Sequence, residues 1–255
     1  MAKDDVIQME SYFRQFPSVL VAFSGGVDST VLANAAQRAL GKAAVAVTFD
    51  TPTISRREIA GAVKSAKRIG IRHIIVKYTE LSDERFTSNP HNRCYFCKKA
   101  MAHKLKGVAK KHGIKDIVEG TNAQDLIGHR PGYKALKEAG ISSPFVELGF
   151  NKDDVRKIAK DYMLEHNKPS GACLASRIPT GVKVTKPRLR KVEEAEEYLR
   201  ALGLTQVRVR LEGARSDVAR IEVIPREFQK VLTYSKEITG HLPFRRVTLD
   251  LRGYS

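Results

Sequence analysis

Short apolar runs alternate with amphipathic stretches through the first two thirds of the chain. Apolar runs at 19–23 and 44–49 predict strands, and the stretches that follow them at 29–40 and 56–69 predict helices. The same reasoning predicts strands at 73–78, 114–119 and 144–148, and helices at 94–112 and 152–162. Strands that alternate with helices through short connections imply a parallel sheet covered on both faces, so the predicted fold class is α/β.

The pattern changes in the last third of the chain. Residues 169–187 are rich in Gly, Pro, Ser and Thr, show no clear periodicity, and predict a linker that carries Cys173. Beyond it we predict helices at 188–202 and 226–239 and strands at 206–211, 218–224 and 246–251. The predicted domains are therefore an α/β domain over 1–168, a cysteine-bearing linker over 169–187, and a small α+β domain over 188–255.

Composition places the chain among globular proteins. Of its 255 residues 42% are hydrophobic and 29% are charged, which excludes disordered, collagen-like and coiled-coil classes. The excess of 45 Lys and Arg over 28 Asp and Glu gives a net charge of +17, a potential that attracts anions such as nucleotides, phosphates or RNA. A solvated basic surface that aids solubility is the alternative explanation.

Targeting and cysteine content suggest a reducing compartment. The first sixteen residues lack the continuous apolar core of a secretory signal, and no window approaches the ~20 apolar residues that span a bilayer. Three cysteines are too few for a disulfide framework. We therefore expect a cytoplasmic protein, away from membranes, whose cysteines have metal-binding or catalytic roles.

The hexapeptide Ser-Gly-Gly-Val-Asp-Ser joins the first predicted strand to the first predicted helix. Backbone N–H groups and the helix dipole at such a junction can hold a phosphate chain, and Gly25 and Gly26 permit close approach. Ser24 and Ser29 can add hydroxyl donors, while Asp28 can hold the Mg²⁺ that accompanies a polyphosphate. The pattern is neither a Walker A loop nor a dinucleotide fingerprint, and an ordinary Gly-Gly turn is the alternative.

The three cysteines form a second candidate site. Cys94 and Cys97 lie one helical turn apart and can chelate one metal centre, but only the fold can bring Cys173 near them. Three thiolate ligands suit a [4Fe–4S] cluster with one iron left open, whereas structural zinc normally needs four ligands, which His91 could complete. A dithiol redox pair and unrelated thiols remain alternatives.

The hexapeptide in this context resembles the signature of the PP-loop ATP pyrophosphatases. That resemblance implies an enzyme that cleaves ATP between the α and β phosphates and adenylates a substrate oxygen. It places Phe49 near the adenine, although Phe49 could equally be a core residue. Gly120 and Thr121 follow the strand at 114–119 at the carboxyl edge of the sheet and, with Arg130, are further expected ATP-binding residues.

The segment Ser-Gly-Ala-Cys-Leu-Ala-Ser-Arg-Ile-Pro at 170–179 resembles the Ala-Cys-Leu-Ala-Ser-Arg segment of the LarE family, and the resemblance covers nearly the whole chain. LarE enzymes are ATP-dependent sulfur transferases of nickel-pincer cofactor biosynthesis. The resemblance implies adenylation of a carboxylate of pyridinium-3,5-biscarboxylic acid mononucleotide, followed by sulfur insertion. Members with one cysteine sacrifice its sulfur; members with three, like this chain, are thought to carry sulfide on a [4Fe–4S] cluster, here on Cys94, Cys97 and Cys173.

The resemblance also implies substrate contacts. Ser176 and Arg177 belong to the matched segment, and Arg208 and Arg210, which share one face of the strand at 206–211, would hold the substrate phosphate. Two exposed arginines on a basic protein are the alternative. Family members form trimeric or hexameric rings, so a homo-oligomer is expected. We predict no chemistry for a run of glutamates that is expected to be a solvated helix face: Glu193, Glu194, Glu196 and Glu197.

Two other functions compete with sulfur transfer to a small nucleotide-like carboxylate. Some tRNA thiolases are also PP-loop enzymes with three cysteines and a cluster, and the positive charge is compatible with RNA. The sequence contains no separate RNA-binding module and no basic stretch interleaved with stacking aromatics, so a nucleic-acid partner is disfavoured. The second alternative is a non-catalytic protein that senses ATP or iron.

Overall fold

The computed structural model describes residues 2–127, 130–168, 171–213 and 215–254. Its chain divides into two compact units, which are described separately below. Unit 1 comprises residues 1–80 and 92–171, and unit 2 comprises residues 81–91 and 172–255. The chain therefore leaves unit 1 for eleven residues before it returns.

The described residues contain seven strands and eleven α-helices. The strands are β1 Val19–Ala22, β2 Ala44–Asp50, β3 Arg72–Lys77, β4 Asp116–Val118, β5 Val207–Glu212, β6 Val218–Val223 and β7 Arg246–Leu249. The helices are α1 Ala2–Arg14, α2 Val27–Leu40, α3 Arg56–Ile69, α4 Glu84–Thr87, α5 Arg93–Lys111, α6 Pro131–Glu138, α7 Pro144–Glu147, α8 Lys152–Asp161, α9 Lys186–Ala201, α10 Phe228–Thr233 and α11 Ser235–His241.

Unit 1 is built on a four-stranded parallel sheet of order β3-β2-β1-β4. In the centre Val19 pairs with Ala44 on one side and with Asp116 on the other. All strands run in the same direction, so their carboxyl ends lie at one edge. The α/β fold class with a parallel sheet is confirmed.

Helices cover both faces of this sheet, as its nearly continuous apolar strands require. One face packs on residues of α1, α2, α3 and α8, with Phe13, Val31 and Ile158 in its core. The other packs on α5 and α6, with Leu105 and Leu136 in its core. Helix α3 begins at a side-chain cap, since the Ser55 hydroxyl accepts from the N–H of Glu58.

The strand predicted at 144–148 is wrong, because Pro144–Glu147 forms the helix α7. Pro144 occupies the first helical turn, where its fixed φ fits and its missing N–H costs nothing. The side chain of Glu147 reaches back to accept from the N–H of Ser143. Only an isolated parallel bridge between Val118 and Ser142 extends the sheet at this point.

Unit 2 contains a three-stranded mixed sheet of order β5-β6-β7, with β5 and β6 antiparallel and β6 and β7 parallel. The helix predicted at 226–239 is divided into α10 and α11. Residues 169 and 170, the start of the predicted linker, lie outside the described residues.

Residues 81–91 are held in unit 2 by a buried asparagine. The amide of Asn89 donates to the carbonyls of Ile178, Pro179 and Val182, and Asn89 is fully buried. Three carbonyl acceptors for one amide fix this excursion to the segment that follows Cys173. Within the described part of the chain, no helix is both long and apolar enough to cross a membrane.

Candidate functional site

The loop between β1 and α2 closes on itself through its two serines. The Ser24 and Ser29 hydroxyl oxygens lie 3.0 Å apart, and the Ser29 hydroxyl donates to the carbonyl of Gly26 at 3.2 Å. No side chain caps α2 at Gly26, and the first N–H groups of a helix have no partner within it. The first turn of α2 therefore presents N–H groups without a capping side chain at the positive end of the helix dipole, which suits an anion.

Close packing explains two of the glycines at this edge. Gly25 has a φ of +71°, and a Cβ there would lie 2.6 Å from the Cα of Ala62 on α3. A Cβ on Gly120, after β4, would lie 3.2 Å from the backbone nitrogen of Ser29. Gly25 is thus required by conformation and by packing, and Gly120 lets the loop after β4 approach the first turn of α2.

Asp28 is a carboxylate in an environment that disfavours its ionised form. Burial is the main cause that raises its pKa to about 6, and the negative charge of Asp125 raises it further. The positive charges of Lys152 and Arg156 act in the opposite direction without cancelling the effect. A carboxylate with this uncompensated charge and a second one nearby is suited to a divalent cation, and its chemistry fits the Mg²⁺ of a polyphosphate.

A buried glutamate that the sequence prediction missed organises the loop after β4. Glu119 accepts from the N–H and the hydroxyl of Thr121, at 3.1 and 2.8 Å, and from the hydroxyl of Ser143. Arg130 lies 3.5 Å from Asp125 in an exposed ion pair. Only the position of Glu119 directly after a strand could have signalled this role.

Phe49 is packed in the core beneath the same sheet edge. Its ring meets that of Tyr78 at 80° with centroids 5.2 Å apart, and only 3% of the residue is exposed. A second missed carboxylate, Glu80, is equally buried and accepts from the hydroxyls of Thr51 and Thr53. The adenine contact predicted for Phe49 stays a prediction.

Cys94 and Cys97 are the second and fifth residues of α5 in unit 1. The Cys94 side chain is exposed and Cys97 is half-buried, with its Sγ 4.0 Å from the Sδ of Met101. The hydroxyl of Tyr95 donates to Glu138 on α6 at 2.6 Å, which fixes the turn to its neighbour. Two thiols at i and i+3 share one helix face and suit one metal centre.

Cys173 belongs to unit 2 and directly precedes a short turn at Leu174–Arg177. The described residues contain no group of three or more His, Cys, Asp and Glu side chains that could hold a metal ion. The site formed by all three cysteines stays a prediction.

Arg177 fixes the backbone around Cys173. One terminal nitrogen of its guanidinium donates to the carbonyls of Ala172 and Cys173, at 2.9 and 3.4 Å, and to the hydroxyl of Ser176 at 2.8 Å. Its Nε donates to Glu196 at 2.9 Å, and only 6% of the arginine is exposed. Arg177 therefore uses most of its N–H donors in hydrogen bonds to neighbouring residues of unit 2.

The prediction that Glu196 belongs to a solvated helix face is wrong. Glu196 is 2% exposed and also accepts from Arg200 and from the N–H of Val209. Its neighbour Glu194 is exposed, because successive helix positions point 100° apart and only one of the two faces the sheet. The signal was present in the sequence, since Glu196 is three and four residues from the buried Leu199 and Val192.

Arg208 and Arg210 lie on one face of β5, between the buried Val207, Val209 and Leu211. Arg210 ion-pairs with the buried Glu222 at 2.5 Å and donates to the carbonyl of Ser176 at 3.0 Å. The guanidinium of Arg208 lies 4.3 Å from the ring centre of Tyr254.

Beside these residues unit 2 has an open cleft of about 500 Å³. Ser176, Arg177 and Arg210 line it, together with Arg220 and Glu212. Three of the four predicted substrate-binding residues therefore meet at one cleft, and its arginines suit an anionic ligand.

A serine-glycine loop at the carboxyl edge of a parallel sheet, leading into an uncapped helix, defines a PP-loop protein. In agreement, the family described as NAD synthase matches residues 2–118. The chain is 34% identical over 241 residues to the pyridinium-3,5-bisthiocarboxylic acid mononucleotide synthase of Lactiplantibacillus plantarum, covering 92% of this chain and 86% of that protein. The chain belongs to the LarE family.

Other relatives show how far the similarity extends. An uncharacterized protein of Synechocystis sp. is 39% identical over 260 residues, covering 100% of this chain and 96% of that protein. A glutamine-hydrolysing GMP synthase of Aeropyrum pernix is 28% identical over 200 residues, covering 71% of this chain but 39% of that protein. The similarity to LarE-type proteins thus extends over both units, and the chain is an enzyme of the PP-loop superfamily.

Proposed function

We propose that the chain is an ATP-dependent sulfur transferase that acts on pyridinium-3,5-biscarboxylic acid mononucleotide. The observation that carries the proposal is the anion-binding loop of unit 1, in a chain similar over nearly its whole length to a synthase of the corresponding bisthiocarboxylic acid. Such a product requires each carboxylate oxygen that is replaced to become a leaving group, and adenylation accomplishes this.

In the first step a substrate carboxylate oxygen attacks the α-phosphorus of ATP. The new O–P bond forms as the bond to the β-phosphate bridging oxygen breaks, and pyrophosphate leaves with the electron pair. The N–H groups of the first turn of α2 and the Ser24 and Ser29 hydroxyls hold the phosphates in line. Asp28 would hold Mg²⁺, which supplies charge neutralisation on the phosphate oxygens.

In the second step a sulfur nucleophile attacks the carbonyl carbon of the acyl adenylate, and AMP leaves with the C–O bonding pair. The developing charge on the carbonyl oxygen requires donors in a site protected from water. We assign the substrate phosphate to the unit 2 cleft, where Ser176 and Arg210 supply donors. Arg208, on the same face of β5 as Arg210, is the further proposed contact. Arg177 and Glu196 orient the backbone that carries Cys173.

Three thiolates are a donor set that fits an iron–sulfur cluster, and when bound a [4Fe–4S] cluster supplies a replaceable sulfide. The ligands that the family resemblance implies are Cys94, Cys97 and Cys173. A replaceable sulfide allows repeated turnover, whereas a sacrificial cysteine gives its sulfur once. The predicted trimeric or hexameric assembly is part of this proposal and can be checked by light scattering.

The experiment is anaerobic turnover of the purified protein with ATP, Mg²⁺, sulfide and the biscarboxylate. We expect pyrophosphate release that requires the substrate, a product whose mass shows replacement of oxygen by sulfur, and several products per chain. A single product per chain with conversion of Cys173 to dehydroalanine would instead support the sacrificial route. Absence of substrate-dependent pyrophosphate would contradict the proposal and favour the sensor alternative.

The cysteine variants test the cluster separately. Iron and sulfide should be bound by the unaltered protein and lost in Cys94→Ala, Cys97→Ala and Cys173→Ala. Met101→Leu, which changes the neighbour of Cys97 without removing a thiol, is the matched control and should retain iron. Stoichiometric zinc without iron would overturn the cluster.

A further inference from the structure

The nucleotide loop carries no positive side chain of its own. Residues 24–29 contain a single charged residue, Asp28, and it is negative. A bound triphosphate brings several negative charges to this carboxylate, and N–H donors and one Mg²⁺ offset them only in part. A cation from elsewhere in the fold is therefore expected near the β- and γ-phosphates.

Lys168 brings such a cation to the loop from far along the chain. Its Nζ donates to the carbonyl of Gly25 at 2.8 Å, within unit 1. A Cβ on Gly61 of α3 would lie 3.5 Å from the same nitrogen. The ammonium thus lies between the loop and α3, where glycines on both sides leave room for it.

The approach to this position is also shaped by α3. Glu58, Gly61 and Ala62 are spaced i, i+3 and i+4, so they lie on one helix face. Ala62 meets Gly25, Gly61 lies beside Lys168, and a Cβ at Gly171 would overlap the carboxylate of Glu58. The same face therefore contacts the loop, the lysine and Gly171, and it fixes where the lysine enters.

The ammonium has donors left for a ligand. A lysine ammonium has three N–H groups, and within the described part of the chain Lys168 makes one hydrogen bond and no ion pair. A phosphate oxygen bound by the N–H groups of the loop lies within reach of a nitrogen that already touches the loop backbone. A backbone carbonyl is a weak partner for an ammonium, so a phosphate would be favoured over it.

We propose that Lys168 is a catalytic residue that contacts the β- and γ-phosphates of ATP in the PP-loop. It neutralises the charge that develops on pyrophosphate as the bond from the α-phosphorus to the bridging oxygen breaks, and it transfers no proton. This inference rests on the proposed adenylation and adds to it a residue located 143 positions from the loop carbonyl that it touches.

The test compares nucleotides with and without the outer phosphates by calorimetry. Lys168→Met should weaken binding of Mg²⁺ and α,β-methylene-ATP by about 10-fold or more, because a charge-assisted hydrogen bond is lost, while AMP affinity changes by less than about 2-fold. Lys168→Arg should restore much of the analogue affinity. Lys64→Met, which removes the same charge from the exposed face of α3, is the control and should leave both affinities unchanged.

Equal affinity of Lys168→Met and the unaltered protein for the analogue would overturn the proposal while leaving adenylation intact. A parallel loss of AMP and analogue binding with a lower melting temperature would show a structural role, which also overturns it. If the unaltered protein binds neither nucleotide, the proposed function fails together with this inference.

Discussion

The charged side chains at the sheet edge of unit 1 differ from those on the β5–β6 ribbon of unit 2 in whether the fold supplies a sufficient counter-charge. At the sheet edge Asp28 is buried without a sufficient counter-charge, and its pKa is raised. In unit 2 the arginines are paired within the fold: Arg177 with Glu196, and Arg210 with Glu222. The difference is that Asp28 in unit 1 carries an electrostatic cost that a bound cation would relieve, whereas these two arginines of unit 2 already have buried carboxylate partners.

Asp28→Asn should produce the largest effect and tests the uncompensated side of the comparison. Without this carboxylate, Mg²⁺-dependent pyrophosphate release should fall by at least about 10³-fold. At pH 7 the free energy of unfolding should rise by about 1 to 3 kcal/mol, because a buried unpaired charge is removed.

The pH dependence gives the sign of the Asp28 effect. Because its folded-state pKa is raised to about 6, the folded protein holds more protons than the unfolded chain between about pH 4 and 6. Asp28 therefore lowers stability as pH rises through that window. The stability gain of Asp28→Asn should disappear near pH 4 in chemical denaturation, and a gain that persists there would contradict the raised pKa.

Glu196→Gln tests the region of unit 2 in which a buried carboxylate is paired with arginines. Removing the charge leaves Arg177 and Arg200 without their buried carboxylate, which should cost about 3 to 5 kcal/mol of unfolding free energy. Glu194→Gln is the matched control: its side chain is 66% exposed and 3.6 Å from Arg190, so a change below about 0.5 kcal/mol is expected. Equal effects in urea denaturation would mean that burial does not distinguish the two pairs.

Gly25→Ala tests whether close packing against α3 or the positive φ makes glycine necessary in the loop. Both Gly25 and Gly41 have positive φ, but only Gly25 would place a Cβ against the backbone of α3. Gly41→Ala should cost about 1 kcal/mol, and Gly25→Ala about 1 to 3 kcal/mol more, with loss of nucleotide binding. Thermal unfolding and calorimetry measure the two costs, and equal values would assign the requirement to φ alone.

Tyr254→Leu should give the smallest effect and refines the picture of unit 2. Arg208 lies over this ring, and loss of the cation–π contact should raise the substrate KM by about 3- to 5-fold with little change in kcat. Tyr254→Phe retains the ring and should behave as the unaltered protein in steady-state kinetics. A loss in Tyr254→Phe as large as that in Tyr254→Leu would assign the effect to the hydroxyl instead.

Local sequence signals predicted the sheet of unit 1 because its strands and helices carry strong periodicity and clear ends. They failed at Pro144, where a short apolar run is ambiguous and a proline in the first turn favours a helix. The loop at 24–29 was recognisable from its own residues. Lys168, Glu119 and Glu80 were not, because each acts through neighbours distant in sequence that only the fold brings into contact.

Glu196 shows a related limit of prediction from sequence, because its burial was not predicted although its neighbours in sequence indicate it. A run of glutamates in a helix is usually solvated, and only the burial of one helix face distinguishes Glu196 from Glu194. Its apolar neighbours at helical spacing carried that information, but the charge of the side chain outweighed it in the prediction. Buried ion pairs are rare enough that composition disfavours them even where periodicity predicts burial.

The excursion of residues 81–91 into unit 2 bears on how this protein can be dissected by truncation. A fragment that stops at residue 171 would keep Asn89 but lose the carbonyls to which its amide donates. Residues 81–91 would then remain in the middle of the fragment without the segment that holds them in the fold. Independent folding of unit 1 thus requires excision of this excursion as well as removal of residues 172–255.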